Sequence, residues 1–210
     1  MARRHEQWAS FRRDVLVYAR RQGGRLYAPV LHPDLADIPA AHGVERMELI
    51  QKSLPPGSRT MLDIGAHWGY FCHCFETLGY KCTAVENSDV NLHFLHRLRR
   101  AEKRTFEVKE GSIFDCDLRG EYDVVLALNI FHHFTKEAHL HAALIKFLTQ
   151  LRAKVLFFEP HRPTELQMKG SFRNYGFEEF VSFVKQHGRF RTAACIGTAE
   201  DSRAVYKLER

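Results

Sequence analysis

The chain has 210 residues, 45% of them hydrophobic and 27% charged, with a net charge of +6 and a pI near 9.1. Those values leave room for one sizeable α/β domain and are ordinary for a soluble globular protein, and the sequence shows no internal repeat or low-complexity tract. No apolar run approaches the ~18 residues that span a bilayer.

Taken in order, residues 5–21 are predicted helical, with Trp8, Phe11, Val15 and Tyr18 on one side. Seven arginines (Arg3, Arg4, Arg12, Arg13, Arg20, Arg21 and Arg25) crowd this end, which suits either an anionic partner or a solvated helix face. The start is charged and lacks the apolar core of a signal peptide, so a cytoplasmic location is expected. A loose segment from Gly23 to Ala41 carries Pro29, Pro33 and Pro39. A second helix over Val44 to Leu54 then presents Val44, Met47, Ile50 and Leu54, and Pro55-Pro56-Gly57 ends it. Residues 1–57 thus read as a helical extension, with Trp8, Phe11 and Val15 expected to cover one end of a ligand cleft. Residues 58–210 read as the main domain.

From Arg59 strands and helices alternate, the pattern of a parallel sheet covered on both faces. Strand Arg59–Ile64 runs through Asp63 into Gly65-Ala66-His67-Trp68-Gly69, a tight turn leading directly into a helix with Phe71, Phe75 and Leu78. A second strand, Lys81 to Val85, ends in Glu86, where nucleotide-binding folds place an acidic residue for ribose hydroxyls. The dinucleotide fingerprint G-x-G-x-x-G is not met, because His67 occupies the middle position and Phe71 follows Gly69-Tyr70. Next come helix Ser88–Lys103, strand Thr105–Lys109 and the segment Gly111-Ser112-Ile113-Phe114-Asp115. Strand Tyr122–Leu128 empties into Asn129-Ile130-Phe131-His132-His133-Phe134. Thr135 is expected to cap a helix carrying Leu140, Leu144, Phe147, Leu148 and Leu151. Strand Lys154–Phe158 ends in Glu159-Pro160-His161. A helix with Phe177, Phe180, Val181 and Val184 follows, and two strand-like runs, Arg189–Ile196 and Ser202–Leu208, finish the chain.

Ligands in such sheets bind at the carboxyl ends of the strands, so Asp63, Glu86, Ser112, Asn129 and Glu159 should converge. His132 and His133 are candidate bases, since an imidazole titrates near neutrality. A divalent ion on Asn129, His133, Glu159 and His161 is a lesser alternative. Cys72-His73-Cys74 makes a poor zinc site, because helical positions i and i+2 point apart. The five cysteines form no disulfide framework.

The stretch Asp63-x-Gly65-x-His67-x-Gly69, followed by Glu86, resembles motif I and the ribose-binding acidic residue of class I S-adenosylmethionine-dependent methyltransferases. His67 replaces that motif's middle glycine. The resemblance implies a Rossmann-like, mostly parallel seven-stranded sheet with a terminal antiparallel hairpin. It implies S-adenosylmethionine as cofactor, bound by Asp63, Gly65, His67, Gly69, Glu86, Ser112, Ile113 and Asn129. Ser112 stands where the family often has an aspartate beside the adenine. Within the class, the Asn129–Phe134 segment, Glu159 and the closing Arg203-Ala204-Val205-Tyr206 resemble the methyltransferase part of O-antigen chain-terminating phosphate methyltransferases. The Arg-x-x-Tyr ending is also similar to RNA 5′-phosphate methyl-capping enzymes. The implied reaction is O-methylation of a phosphate or hydroxyl on a glycan or small metabolite. Asn129, His132 and His133 would lie at the catalytic centre, and Glu159, His161, Arg173 and Arg203 would contact the acceptor. The rival readings are an RNA methyltransferase and, because of His67, a non-catalytic binding scaffold.

Overall fold

The computed structural model describes residues 2–200 and 202–210, with side chains from Trp8 onward, so the side chains of Arg3 and Arg4 lie outside the described residues. Seven strands form one sheet in the order β3-β2-β1-β4-β5-β7-β6. They are β1 (Thr60–Ile64), β2 (Lys81–Glu86), β3 (Glu107–Glu110), β4 (Glu121–Leu128), β5 (Arg152–Glu159), β6 (Thr192–Thr198) and β7 (Ala204–Glu209). The first five pair in parallel, whereas β7 runs antiparallel to both β5 and β6. The helices are α1 (Ala2–Arg21), α2 (Val44–Lys52), α3 (Tyr70–Thr77), α4 (Asp89–Ala101), α5 (Ala138–Gln150) and α6 (Phe177–His187).

Side-chain alternation along the strands divides the core in two. Leu62, Val125, Leu156 and Phe158 face one side and meet Leu144, Leu148, Phe180 and Val184 of α5 and α6. Met61, Val124, Leu126 and Phe157 face the other, against Met47 and Ile50 of α2 and Phe71 and Phe75 of α3. Ser88 caps α4 by accepting from the Asn91 amide at 3.4 Å. Among the described residues, no helix is long and apolar enough to cross a membrane.

Three local expectations are corrected. Thr135 does not cap α5: it ends a 3-10 turn, Phe131–Thr135, its hydroxyl donates to the His132 carbonyl at 3.0 Å, and Glu137 holds the N-cap position. Val44 is exposed, and α2 turns Arg46, Met47 and Ile50 inward instead. Phe11 and Val15 do not roof the cleft. They pack in a third cluster with Leu26, Leu35, Trp68 and Phe94, which seats α1 against α4 behind the glycine turn.

Candidate active site

The carboxyl ends of β1, β2, β3 and β4 open into a cleft of about 460 Å3, at the point where strand order reverses between β1 and β4. Gly65 leaves β1 with φ +73°, and an added Cβ would lie 2.8 Å from the Ile130 side chain. Gly69 starts α3 in the left-handed region, with φ +83°. His67 takes the same unusual backbone, with φ +52°. Its amide donates to Glu86 Oε2 at 2.7 Å, and its ring stacks on Trp68 at 5.5 Å beside Tyr18 and Tyr27. That packing draws the imidazole into the wall, so the turn tolerates the missing glycine with the cleft still open. Burial lowers the His67 pKa to about 4, so the ring is neutral at physiological pH.

Glu86 ends β2, buried, and its carboxylate is fixed from three sides. Besides His67, the amides of Asn87 and Ser88 donate to Oε1 at 3.1 and 2.9 Å. Asp63 points to the α3 side of the sheet, where Cys72 Sγ lies 3.9 Å from Oδ2. Burial, reinforced by the Glu86 charge, raises its pKa to about 7. Ser112 and Ile113 line the cleft beyond β3. At the end of β4, Asn129 adopts φ +54°, and its amide donates to the Glu159 carbonyl at 3.0 Å. Its side-chain oxygen is buried in the cleft wall without a hydrogen-bond partner among the described residues, as expected of a group that accepts from a ligand donor.

The two neighbouring histidines separate. His133 lines the cleft, and its Nδ1 lies 3.5 Å from Lys136 Nζ. His132 is buried behind it, between His133 and His161, at ring-centre distances of 4.1 and 5.2 Å. Burial lowers the pKa of His132 to about 3, with the neighbouring imidazoles adding to the effect. His133 is also lowered, first by burial and then by the Lys136 charge. Both rings are neutral at physiological pH.

The four expected acceptor residues stand off the cleft. Glu159 is fully buried, holding Arg46 through two bonds of 2.6 and 2.8 Å. His161 is buried, its Nε2 3.0 Å from Asn174 Oδ1, and burial lowers its pKa. Arg173 is exposed and lies over the Phe172 ring. Arg203 binds Glu165 at 2.7 Å and approaches Glu159 at 3.7 Å. Tyr206, the last residue of the Arg-x-x-Tyr run, donates instead to Glu178 at 2.8 Å. Because Arg46 occupies the Glu159 carboxylate, the metal set Asn129, His133, Glu159 and His161 does not assemble. Among the described residues, no group of three or more His, Cys, Asp or Glu side chains is arranged for an ion. Sequence reading missed Arg46, Tyr27 and Lys136. Arg46 and Tyr27 line the cleft, and Lys136 touches His133.

Residues 62–157 match the family model described as a methyltransferase domain. That match covers just under half of the chain, and the sheet around it has the Rossmann-like fold of class I methyltransferases. The matched domain implies S-adenosylmethionine as cofactor, in keeping with the sheet order, the glycine turn and Glu86. Among solved structures, the bifunctional kinase-methyltransferase WbdD superposes with a TM-score of 0.72 at 18% identity, over 88% of this chain and 44% of that one. The chain therefore spans less than half the length of the WbdD structures it matches. The PH0226 protein from Pyrococcus horikoshii OT3 gives 0.61 at 13% identity, over 87% of this chain and 94% of that one. A putative O-methyltransferase from Nostoc punctiforme PCC 73102 gives 0.59 at 19%, over 79% and 55%. At these identities the likeness is one of fold. No curated protein matches the sequence.

Proposed function

We propose that this methyltransferase methylates a phosphate oxygen on a glycan or small metabolite. S-adenosylmethionine supplies an activated methyl group on a sulfonium, so the chain's task is to bind it, hold the acceptor oxygen in line and exclude water. The cleft residues fit the cofactor: Glu86 is set to receive ribose hydroxyls, Ser112 and Ile113 to flank the adenine, and Asn129 to accept from the amino-acid end.

The observation that carries the phosphate reading is the contact between Lys136 and His133. An ammonium only donates, so His133 Nδ1 accepts, and the single proton of the neutral ring then sits on Nε2. In that tautomer the ring donates and cannot remove a proton. A donor backed by a cation suits an oxyanion, and a phosphate dianion needs no base. His132 supports His133 from behind. Arg203 acts through Glu165, since the Glu165 carboxylate binds Gln167 and Gln167 reaches Lys136 at 3.4 Å. A hydroxyl acceptor is the second reading, favoured by the lowered His133 pKa, which leaves the ring uncharged and free to accept a proton at Nδ1 once Lys136 turns away.

Transfer of radiolabelled methyl to fractionated lysate (glycan, lipid, RNA, protein and small-molecule pools) tests the assignment. Label should enter an acidic glycan or metabolite fraction, and prior phosphatase treatment should abolish it. Label that persists after phosphatase selects a hydroxyl acceptor. Label in the RNA pool selects the RNA methyltransferase, and absence of S-adenosylmethionine binding would select the scaffold.

A further inference from the structure

The cleft is electrically lopsided. Glu86 and Asp63, two buried carboxyl groups, stand at the ends of β2 and β1. On the α2 side the same cleft is lined by Arg46, a buried guanidinium. Glu159 grips Arg46 with parallel bonds at 2.6 and 2.8 Å, and the Tyr27 hydroxyl lies 3.3 Å from its Nη1. Glu159 is in turn approached at 3.7 Å by Arg203, which itself pairs with Glu165 at 2.7 Å, so the carboxylate that clamps Arg46 is held from a second side. A bidentate clamp of this kind removes most of the rotamer freedom of a long side chain, leaving it preorganised for a ligand.

The cofactor's adenosine belongs at the β2 and β3 end, with Glu86 and Ser112, so its amino-acid part must reach toward β1, β4 and α2. That part is a zwitterion. Its ammonium is attracted to the acidic wall and its carboxylate is repelled by it. We infer that Arg46 binds the α-carboxylate of S-adenosylmethionine, held for the purpose by Glu159 and Tyr27. Arg46 and Tyr27 lie before the residues that match the methyltransferase family model, so the extension completes the cofactor site. Arg46 is thus a cofactor-binding residue, and Glu159 and Tyr27 are positioning residues.

The test needs no acceptor and no turnover. Isothermal titration of the full chain compares S-adenosylhomocysteine with its decarboxylated analogue, which keeps the thioether, the amine and the nucleoside. A charge-assisted contact to a carboxylate should make the wild type prefer S-adenosylhomocysteine at least tenfold. Arg46→Ala alone would strand Glu159 as a buried charge and risks failing to fold. The paired replacement Arg46→Met with Glu159→Gln removes both charges together. It should bind both ligands within about threefold of each other, while affinity for the decarboxylated analogue stays near the wild-type value, a comparison that isolates the one interaction. Equal affinities in the wild type overturn the inference whether or not the pair variant folds, as does a preference that survives in the folded variant. If neither ligand binds the wild type, the cofactor assignment itself has failed, a separate result.

Discussion

Asp63 offers the sharpest physical test, because its environment makes opposite demands before and after the cofactor arrives. Its carboxyl is buried beside Cys72 within reach of the Glu86 charge, and those two influences raise its pKa from 3.8 to about 7. Between these values the folded protein keeps a proton that the unfolded chain has released. The folded state thus binds more protons, and stability must fall as pH rises from about 4 to about 7, then level off. Fully expressed, that displacement corresponds to a loss of ~4 kcal/mol, a ceiling for one carboxyl group. Asp63→Asn keeps the shape and cannot ionise. Urea unfolding of both proteins from pH 4.5 to 8.5 should give similar stabilities at the acid end. The variant should become more stable by about 1–4 kcal/mol at the basic end. His67 and His132, with pKa values near 4 and 3, titrate alike in both proteins and cancel in the difference. Stability curves that stay parallel over the whole range would refute the reasoning. Cofactor binding should show the reverse trend. The ligand's cationic ammonium and sulfonium favour ionised Asp63, so wild-type affinity should rise from pH 6 to 8, and that rise should vanish in the variant.

Glu86→Ala should weaken S-adenosylmethionine binding at least tenfold in a folded protein, since charge-assisted bonds contribute ~1.5–3 kcal/mol. Unchanged affinity by calorimetry would remove Glu86 from the site. Gly65→Val should be worse and should also lower the melting temperature, because a Cβ at φ +73° meets Ile130 at 2.8 Å before any ligand is present. A normal melting temperature would contradict that geometry. With the acceptor in hand, Lys136→Ala should chiefly raise KM, and His133→Ala should have an effect of similar kind if the acceptor is a phosphate. A loss in kcat of about 10²–10⁴-fold for His133→Ala, with an intact KM, would instead mark it as a general base for a hydroxyl.

The sheet was legible in the sequence because β2, β4 and β5 are apolar runs that reach a polar residue at the strand end (Glu86, Asn129 and Glu159) with helical spacing further on, whereas β3, Glu107–Glu110, is short and charged and has no helix after it. Glu86 and the glycine turn were legible for the same reason, since their positions follow from strand ends alone. The rest of the site depended on contacts that leave no local trace. Arg46 reads as one more charge on an amphipathic helix, and its partner Glu159 lies 113 residues away. Val44 was expected to point inward with Met47 and Ile50; those two do, but Val44 is exposed and Arg46 turns inward to reach Glu159. His132 and His133 are indistinguishable as neighbours in a string, and only the 3-10 turn at Phe131–Thr135 sends one ring behind the other. Arg203 sits on a sequence pattern shared with phosphate methyltransferases, yet its guanidinium is engaged by Glu165 rather than open to the cleft.

The strand order has a consequence for how the chain comes off the ribosome. Because β7 lies between β5 and β6, the strand made earlier, β6, has no place to dock until the later one arrives. Until β7 emerges the backbone edge of β5 stays open, including Leu156 and Phe158, whose partners are Leu208 and Tyr206. An open apolar edge invites pairing with other chains. Ribosomal stalling or clipping within the final strand, Ala204–Glu209, would therefore leave both β5 and β6 without their partner. Nascent chains arrested there should aggregate far more readily than chains cut in the exposed turn after Arg21.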